Sequence, residues 1–147
     1  LNDIAQSLKI LRTAGSGPVV LLHCRSIYPT PVDQVDLLAM EAMRRKFHLP
    51  VGFSDHTLGI GVPIAAASLG AVVVEKHFVL NDGVSTIDDK FSLTPQGLKT
   101  MITAIREAQA ALGSLIKKPT ETEVKEKLLA GRSYGWLRIC AEEKGLT

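Results

Sequence analysis

Three short apolar runs alternate with helical patterns along this chain, and this alternation limits the possible folds more than any other feature. The runs are PVVLLHC, VGFSDH and AVVVEKHF, at residues 18–24, 51–56 and 71–78. A continuous apolar run such as the first is typical of a strand buried on both faces of a parallel sheet. The segments between the runs are long enough for the crossovers that parallel strands need. The pattern therefore predicts an α/β chain.

Helical patterns precede, separate and follow these runs. The residues predicted to begin the four helices are Asn2 or Asp3, Asp33, Pro63 and Thr94. The expected ends lie before Pro50 and at Gly70 and Gly113. The side chains predicted to face the core are Ile4, Leu8 and Leu11 in the first helix, Leu38, Ala39, Ala42 and Met43 in the second, and Met101, Ile105, Ala108 and Leu112 in the last.

This order of elements fits two architectures. One is an open doubly wound sheet, and the other is part of a (β/α)₈ barrel, which takes about 250 residues when complete. The absence of GxGxxG and P-loop motifs from the sequence argues against the common nucleotide-binding open sheets. The alternation from Tyr134 to Ile139 predicts one more strand, which would begin a different unit.

Composition excludes several classes of partner. The 147 residues carry a net charge of +2 from scattered side chains, and aromatic residues make up 5%, so nucleic acid is not an expected partner. The longest apolar stretch, residues 60–74, is interrupted and too short to cross a membrane.

Cys24 and Cys140 lie far apart, and no signal peptide is recognisable, which favours the cytoplasm. Because Leu1 already lies inside a helical pattern, we expect the chain to be cut from a longer protein.

Near its end, each of the second and third runs has a carboxylate and, shortly after it, a histidine. Side chains alternate along a strand, so Ser54 and His56 share one face of the second run, and Glu75 and His77 share one face of the third. In a barrel, these four side chains can point inward at the carboxyl ends of the strands, where barrel active sites lie. Asp55 and Lys76 then face the other way.

Two interpretations of the histidines stay open at this point. Neighbouring strands lie about 4.8 Å apart, so two imidazoles at adjacent strand ends can share one divalent ion. Alternatively, each is a structural histidine held by hydrogen bonds. His23, on the other parity from Cys24, and His48, in a loop between a helix and a strand, are expected to be structural or solvated. Ser26 and Tyr28 would share a face with Cys24 if the first strand continued that far, or else belong to a turn.

A family resemblance adds to this reading. The strings LLHCRSIYPTP, GFSDHTLGIGVPIAAASLGAVVVEKHF and DDKFSLTPQGLKTMITAIREAQAALG resemble the sialic acid (N-acetylneuraminate) synthase family, which includes pseudaminic and legionaminic acid synthases. The resemblance implies a (β/α)₈ TIM barrel followed by a small antifreeze-like domain, in a homodimer. Residues 1–113 would be the C-terminal portion of the barrel, with about three βα units. Residues 114–147 would be a linker and the beginning of a truncated antifreeze-like domain.

The resemblance also implies a reaction and a site. Family members condense phosphoenolpyruvate with an open-chain N-acylated amino sugar to a nine-carbon 2-keto sugar acid plus phosphate, with Mn²⁺ or Mg²⁺. The resemblance assigns the metal to His56 and His77, the catalytic roles to Glu75 and Asp88, and substrate binding to Ser26, Tyr28 and Ser54. The loop STIDDK departs from the PGPDH of many sialic acid synthases, so the three sugar classes stay open.

Two further functions compete with this one. The chain could belong to another metal-dependent aldol-type barrel that uses pyruvate or phosphoenolpyruvate. It could also be a non-catalytic half-barrel that binds a metal or a partner. In either enzymatic case we expect this chain to be inactive alone, because the first strands of the barrel, which hold the phosphate in relatives, lie outside it.

Overall fold

The computed structural model describes residues 1–80 and 87–129, without the side chains of 127–129. Three parallel strands, β1 (Leu21–Cys24), β2 (Val51–Asp55) and β3 (Val74–Lys76), form one sheet in the order β1-β2-β3. The helices are α1 (Asn2–Thr13), α2 (Ala39–Phe47), α3 (Gly61–Ser68), α4 (Pro95–Leu112) and α5 (Glu121–Leu129), with short 3₁₀ turns at Val32–Gln34 and Asp89–Phe91. The predicted α/β class is confirmed, and the spatial order of the strands follows the chain.

The hydrophobic core lies between β2 and the two crossover helices. Every residue of β2 is buried, whereas β1 and β3 keep exposed positions. The core side chains are Val35, Met40, Met43, Val51, Phe53, Ala66 and Ala71. The prediction that the first run is buried on both faces is wrong, since Val20 and Leu22 are exposed. The reason is that, in the described part of the chain, β1 has a strand on one side only.

The sheet leaves no space for a side chain at Gly52, in the middle of β2. A Cβ at this position would lie 2.6 Å from the Val73 carbonyl oxygen and 2.7 Å from Leu22 Cδ2. Real Cβ atoms do not approach other atoms so closely. Glycine at residue 52 therefore allows β2 to fit between its two neighbours.

The first two helices begin differently from the prediction. Asn2 and Asp3 both lie inside α1, and no side chain caps its first turn. Asp33 belongs to the 3₁₀ turn, and α2 begins at Ala39 because Asp36, with φ +54°, interrupts the helical path between them. The residues that α2 buries are accordingly Met40 and Met43, while Leu38 and Ala42 are exposed, as is Leu11 in α1.

Helices α3 and α4 agree better with the prediction. Pro63 lies in the first turn of α3, and Gly70, at φ +87°, follows its end. Thr94 Oγ1 accepts a hydrogen bond from the Gly97 backbone N–H at 3.1 Å, which confirms it as the cap of α4. Met101 of α4 is buried, whereas Leu112 is exposed, because α4 is much longer than α3, the helix that it contacts.

The contacts divide the chain into two units, residues 1–113 and 114–147. Of the second unit, the structure describes residues 114–129, which include α5. The strand predicted from Tyr134 to Ile139 lies outside the described residues, and the antifreeze-like domain stays a prediction. Among the helices that the structure describes, none has both the length and the apolar character needed to cross a membrane.

Candidate active site

Ser54 and Glu75 meet at the carboxyl ends of β2 and β3. The two residues are direct partners in the parallel register, so their side chains leave the sheet on the same face. The Ser54 hydroxyl donates a hydrogen bond to Glu75 Oε1 at 2.6 Å. Ser54 is buried and Glu75 is exposed. The hydroxyl therefore holds one carboxylate oxygen, while the other remains available to a substrate or to water.

His56 directly follows β2, and the backbone that follows β1 orients its ring. Its Nδ1 lies 2.7 Å from the Arg25 carbonyl oxygen. Because a carbonyl only accepts, this contact requires a proton on Nδ1, and in the neutral ring the Nε2 lone pair is then free. Cys24 Sγ lies 3.8 Å from the same nitrogen. The ring is buried and fixed in one orientation.

His77 follows β3 and faces His56. The two imidazole centroids are 5.2 Å apart. Asp88 Oδ2 lies 3.5 Å from His77 Nδ1, and the Phe91 ring packs edge-on against the imidazole at 4.9 Å. The backbone of the same segment is tied to β3, since the Leu93 N–H donates to the His77 carbonyl at 2.8 Å. The segment from Asp88 to Leu93 thus lies against His77.

Tyr28 completes an aromatic group around the two histidines. Its ring centroid is 4.2 Å from that of His56, 6.0 Å from that of His77 and 5.5 Å from that of Phe91. The peptide bond between Tyr28 and Pro29 is cis. Phe91 was not predicted as a site residue, because its only signal in the sequence is an apolar side chain within the otherwise polar stretch DDKFS.

The structure leaves two other candidates away from this group. Ser26 is exposed and shares no hydrogen bond or ring contact with the group in the part of the chain described. His23 is buried, and its Nε2 lies 2.8 Å from the Val35 carbonyl oxygen, so of the two expected alternatives, structural or solvated, the structural one holds. The resemblance alone had placed Ser26 at the substrate.

The two histidines have the surroundings of metal ligands. A metal-binding imidazole commonly uses its second ring nitrogen to contact a carbonyl or a carboxylate, and His56 and His77 contact one of each. Their Nε2 atoms are the donors left for an ion. Over residues 1–80 and 87–129, however, no three His, Cys, Asp or Glu side chains are grouped closely enough to hold a metal. The two imidazoles can supply two ligands of a metal site, and the remaining ligands would have to come from other groups.

The sequence is similar to that of a known protein family over most of its length. The NeuB family model matches residues 1–117. The chain is 45% identical over 127 residues to N,N'-diacetyllegionaminic acid synthase of Campylobacter jejuni, which covers 85% of this chain and 38% of that protein. It is 36% identical over 133 residues to pseudaminic acid synthase of the same species, covering 90% of this chain and 37% of the relative.

Solved structures agree with these sequence relatives. N-acetylneuraminic acid (sialic acid) synthetase of Leptospira borgpetersenii superposes with a TM-score of 0.73 at 30% identity, over 88% of this chain and 45% of that one. The spore coat polysaccharide biosynthesis protein spsE of Bacillus subtilis gives a TM-score of 0.72 at 31% identity, over 84% and 35%. The present chain thus spans less than half the length of each of these proteins, and its fold is part of a (β/α)₈ barrel. On the family match and these likenesses together, the chain belongs to the NeuB family.

Proposed function

We propose that this chain is part of a nonulosonic acid synthase, which joins phosphoenolpyruvate to an open-chain N-acylated amino sugar. The products are a nine-carbon 2-keto sugar acid and inorganic phosphate. The observation that carries the proposal is the hydrogen bond from Ser54 to Glu75 beside two oriented histidines, at the carboxyl ends of adjacent parallel strands. The names of the relatives, legionaminic and pseudaminic acid synthases, support it.

The reaction forms one carbon–carbon bond and releases one phosphate. Carbon 3 of phosphoenolpyruvate bonds to the aldehyde carbon, the aldehyde oxygen becomes a hydroxyl, and carbon 2 becomes electron-poor. Water adds to carbon 2, and loss of phosphate from that carbon leaves the ketone. The chemistry needs negative charge and a proton acceptor near carbon 2, and an electrophile at the aldehyde.

Glu75 suits the task at carbon 2. The Ser54 hydroxyl occupies Oε1, so the carboxylate is held in one orientation and its second oxygen can accept a proton from the attacking water. The negative charge of Glu75 would also stabilise the electron-poor carbon. Ser54 is thereby a positioning residue for Glu75, in addition to its proposed role in substrate binding.

We propose Mn²⁺ or Mg²⁺ as the cofactor, held by the Nε2 atoms of His56 and His77, and when bound it would act as a Lewis acid on the aldehyde oxygen. Mg²⁺ prefers oxygen ligands, so two imidazole ligands are less suited to Mg²⁺ than to Mn²⁺. His56 keeps its ring orientation through the Arg25 carbonyl, and Asp88 lies against the second nitrogen of His77. The hydrogen bond to the Arg25 carbonyl holds Nε2 of His56 in place before any ligand arrives.

The substrate sugar would bind beside this group. The Tyr28 ring is half exposed and packs on His56, so it offers an apolar wall, and the half-exposed Asp88 carboxylate can accept hydrogen bonds from sugar hydroxyls. Ser26 is retained as a substrate-facing residue on the family resemblance. Among the three sugar classes, the 45% identity to a legionaminic acid synthase, against 36% to a pseudaminic acid synthase, favours a diacetamido deoxy sugar of the legionaminic type.

The test measures phosphate release by the whole protein that carries this chain. It is incubated with Mn²⁺, phosphoenolpyruvate and, in turn, N-acetylmannosamine and the diacetamido deoxy sugars of the legionaminic and pseudaminic classes. We expect one sugar to support release of one phosphate for each nine-carbon acid formed. Turnover with pyruvate as donor would favour the other aldol-type barrel. A folded protein that binds Mn²⁺ but releases phosphate with none of the sugars would favour the non-catalytic reading.

A further inference from the structure

A buried ion pair lies directly behind the candidate site. Asp55 and Lys76 are partners in the register of β2 and β3, on the face opposite to Ser54 and Glu75. Lys76 Nζ lies 2.5 Å from Asp55 Oδ2, and the two side chains are 1% and 0% exposed. The proposed reaction leaves this pair without a role, because neither side chain reaches the substrate face.

The pair closes a ring of hydrogen bonds around the residue that follows His56. The Thr57 backbone N–H donates to Asp55 Oδ1 at 2.9 Å, and Lys76 Nζ donates to the Thr57 carbonyl at 2.6 Å. Thr57 is itself fully buried. His56 therefore stands between two residues, Asp55 and Thr57, that are both bonded within this ring, called here the Asp55–Lys76 clamp.

The clamp also reaches the second histidine, because Lys76 immediately precedes His77. One end of the clamp thus belongs to the β2 end that carries His56, and the other to the β3 end that carries His77. We propose that the Asp55–Lys76 clamp is a positioning device that fixes the separation and orientation of the His56 and His77 imidazoles. This inference rests on the proposed function for its consequence, the sharing of one metal ion, but the geometry can be measured without it.

The charges favour a positioning role over a role in stability alone. A buried ion pair often contributes little net stability, since apolar side chains of similar volume can replace it at no loss. Such a replacement would fill the same space without bonding to either backbone group of Thr57. The two roles therefore predict different results for an apolar substitution.

The experiment compares three variants of the whole protein. The double variant Asp55→Leu/Lys76→Met removes the clamp and keeps the volume. The variant Lys76→Gln, a smaller change, shortens the donor that holds the Thr57 carbonyl. The matched control is Val51→Ala, which creates a void on the same face of β2, four residues before Asp55 and away from the histidines. For each we measure thermal unfolding, the affinity for Mn²⁺ alone by electron paramagnetic resonance, and the crystal structure.

If the clamp positions the histidines, its removal should weaken metal binding by more than the loss of thermal stability can explain. We expect the double variant to bind Mn²⁺ about tenfold or more weakly, the size of effect usual for residues that orient metal ligands. Val51→Ala should change the affinity less than about twofold even where its unfolding temperature falls as far. Equal affinities in the double variant and the control would overturn the proposal. If the double variant does not fold, the same comparison is made with Lys76→Gln.

The crystal structures separate failure of this inference from failure of the proposed metal site. If His56→Ala binds Mn²⁺ as tightly as the parent, the metal assignment is wrong, and the clamp is judged by geometry. A His56–His77 centroid distance that departs from 5.2 Å in the clamp variant, but not in Val51→Ala, supports the clamp. An unchanged distance in both variants overturns it.

Discussion

At the residue scale, the hydroxyl of Ser54 is the contact whose loss is easiest to interpret. Ser54→Ala removes the hydrogen bond to Glu75 and leaves the backbone of β2 intact. Because Glu75 is exposed, its carboxylate regains water, so we expect the free energy of unfolding to fall by no more than about 1 kcal/mol. The kcat for phosphate release should fall about tenfold or more, since the proton acceptor loses its orientation.

The matched control is Ser68→Ala, which removes a hydroxyl bonded to the Ile64 carbonyl in α3, away from the site. It should leave kcat unchanged. Equal kcat values for Ser54→Ala and the parent protein would contradict the role given to this hydrogen bond.

The positions of these residues were predictable to different degrees. Strand parity puts Ser54 and Glu75 on one face, because alternation of side chains is a property of every strand. His56 and His77 each lie one residue beyond their strand and still face each other. The contacts of Tyr28 and Phe91 with the histidines depend on how two loops fold back, and no local pattern in the sequence encodes that. Ser26 shows the same limit, since it lies beyond the end of β1, where the alternation no longer applies.

At the scale of single elements, Gly52 makes the sharpest prediction. Gly52→Ala would place a methyl group within 2.6 Å of the Val73 carbonyl oxygen, so β2 or β3 must move. We expect the free energy of unfolding to fall by about 1–3 kcal/mol, the usual cost of overpacking. Gly61→Ala is the control, because a Cβ there has nothing within 4 Å. It should leave stability unchanged or raise it by up to about 1 kcal/mol. A Gly52→Ala variant as stable as the control would contradict the close packing of these strands.

The cap of α4 gives a second prediction at this scale. Thr94→Ala leaves the Gly97 N–H without its acceptor, and denaturant unfolding should show a loss of about 1 kcal/mol. Thr100→Ala, in the same helix, removes a hydroxyl bonded only to the Gln96 carbonyl and introduces a better helix former. Its effect should be neutral or slightly stabilising. A loss as large as that of Thr94→Ala would show that the cap has no special importance.

The cap of α4 and the glycines that follow α3 and α4 were predicted correctly, because their signals lie within a few residues, whereas the predicted caps of α1 and α2 were wrong. The start of α2 was predicted wrongly because it depends on the left-handed backbone of Asp36. No residue near Asp36 in the sequence indicates that conformation. The prediction that β1 is buried on both faces was wrong for a similar reason. An apolar run shows that a strand could be buried on both faces, but only its neighbours decide whether it is.

At the scale of the whole molecule, the sheet has two outer edges. In the described residues, β1 and β3 are each paired with β2 only, and apolar side chains such as Leu22, Val72 and Val73 are exposed beside them. Unpaired strand edges promote association. We therefore expect residues 1–147, expressed alone, to self-associate at micromolar concentration and to show no turnover, as measured by light scattering after gel filtration. A monodisperse monomer over a wide range of concentration would contradict this expectation.

The most direct test of the central claim is the Mn²⁺ dependence of phosphate release by the whole protein and its histidine variants. His56→Ala and His77→Ala should each lower the Mn²⁺-dependent rate by at least about a hundredfold, because each removes a proposed ligand of the ion that supports the reaction. His48→Ala replaces an exposed histidine at the end of α2 and should retain the parent rate. If the three variants release phosphate from phosphoenolpyruvate and the amino sugar equally fast, the two strand-end histidines do not form the metal site.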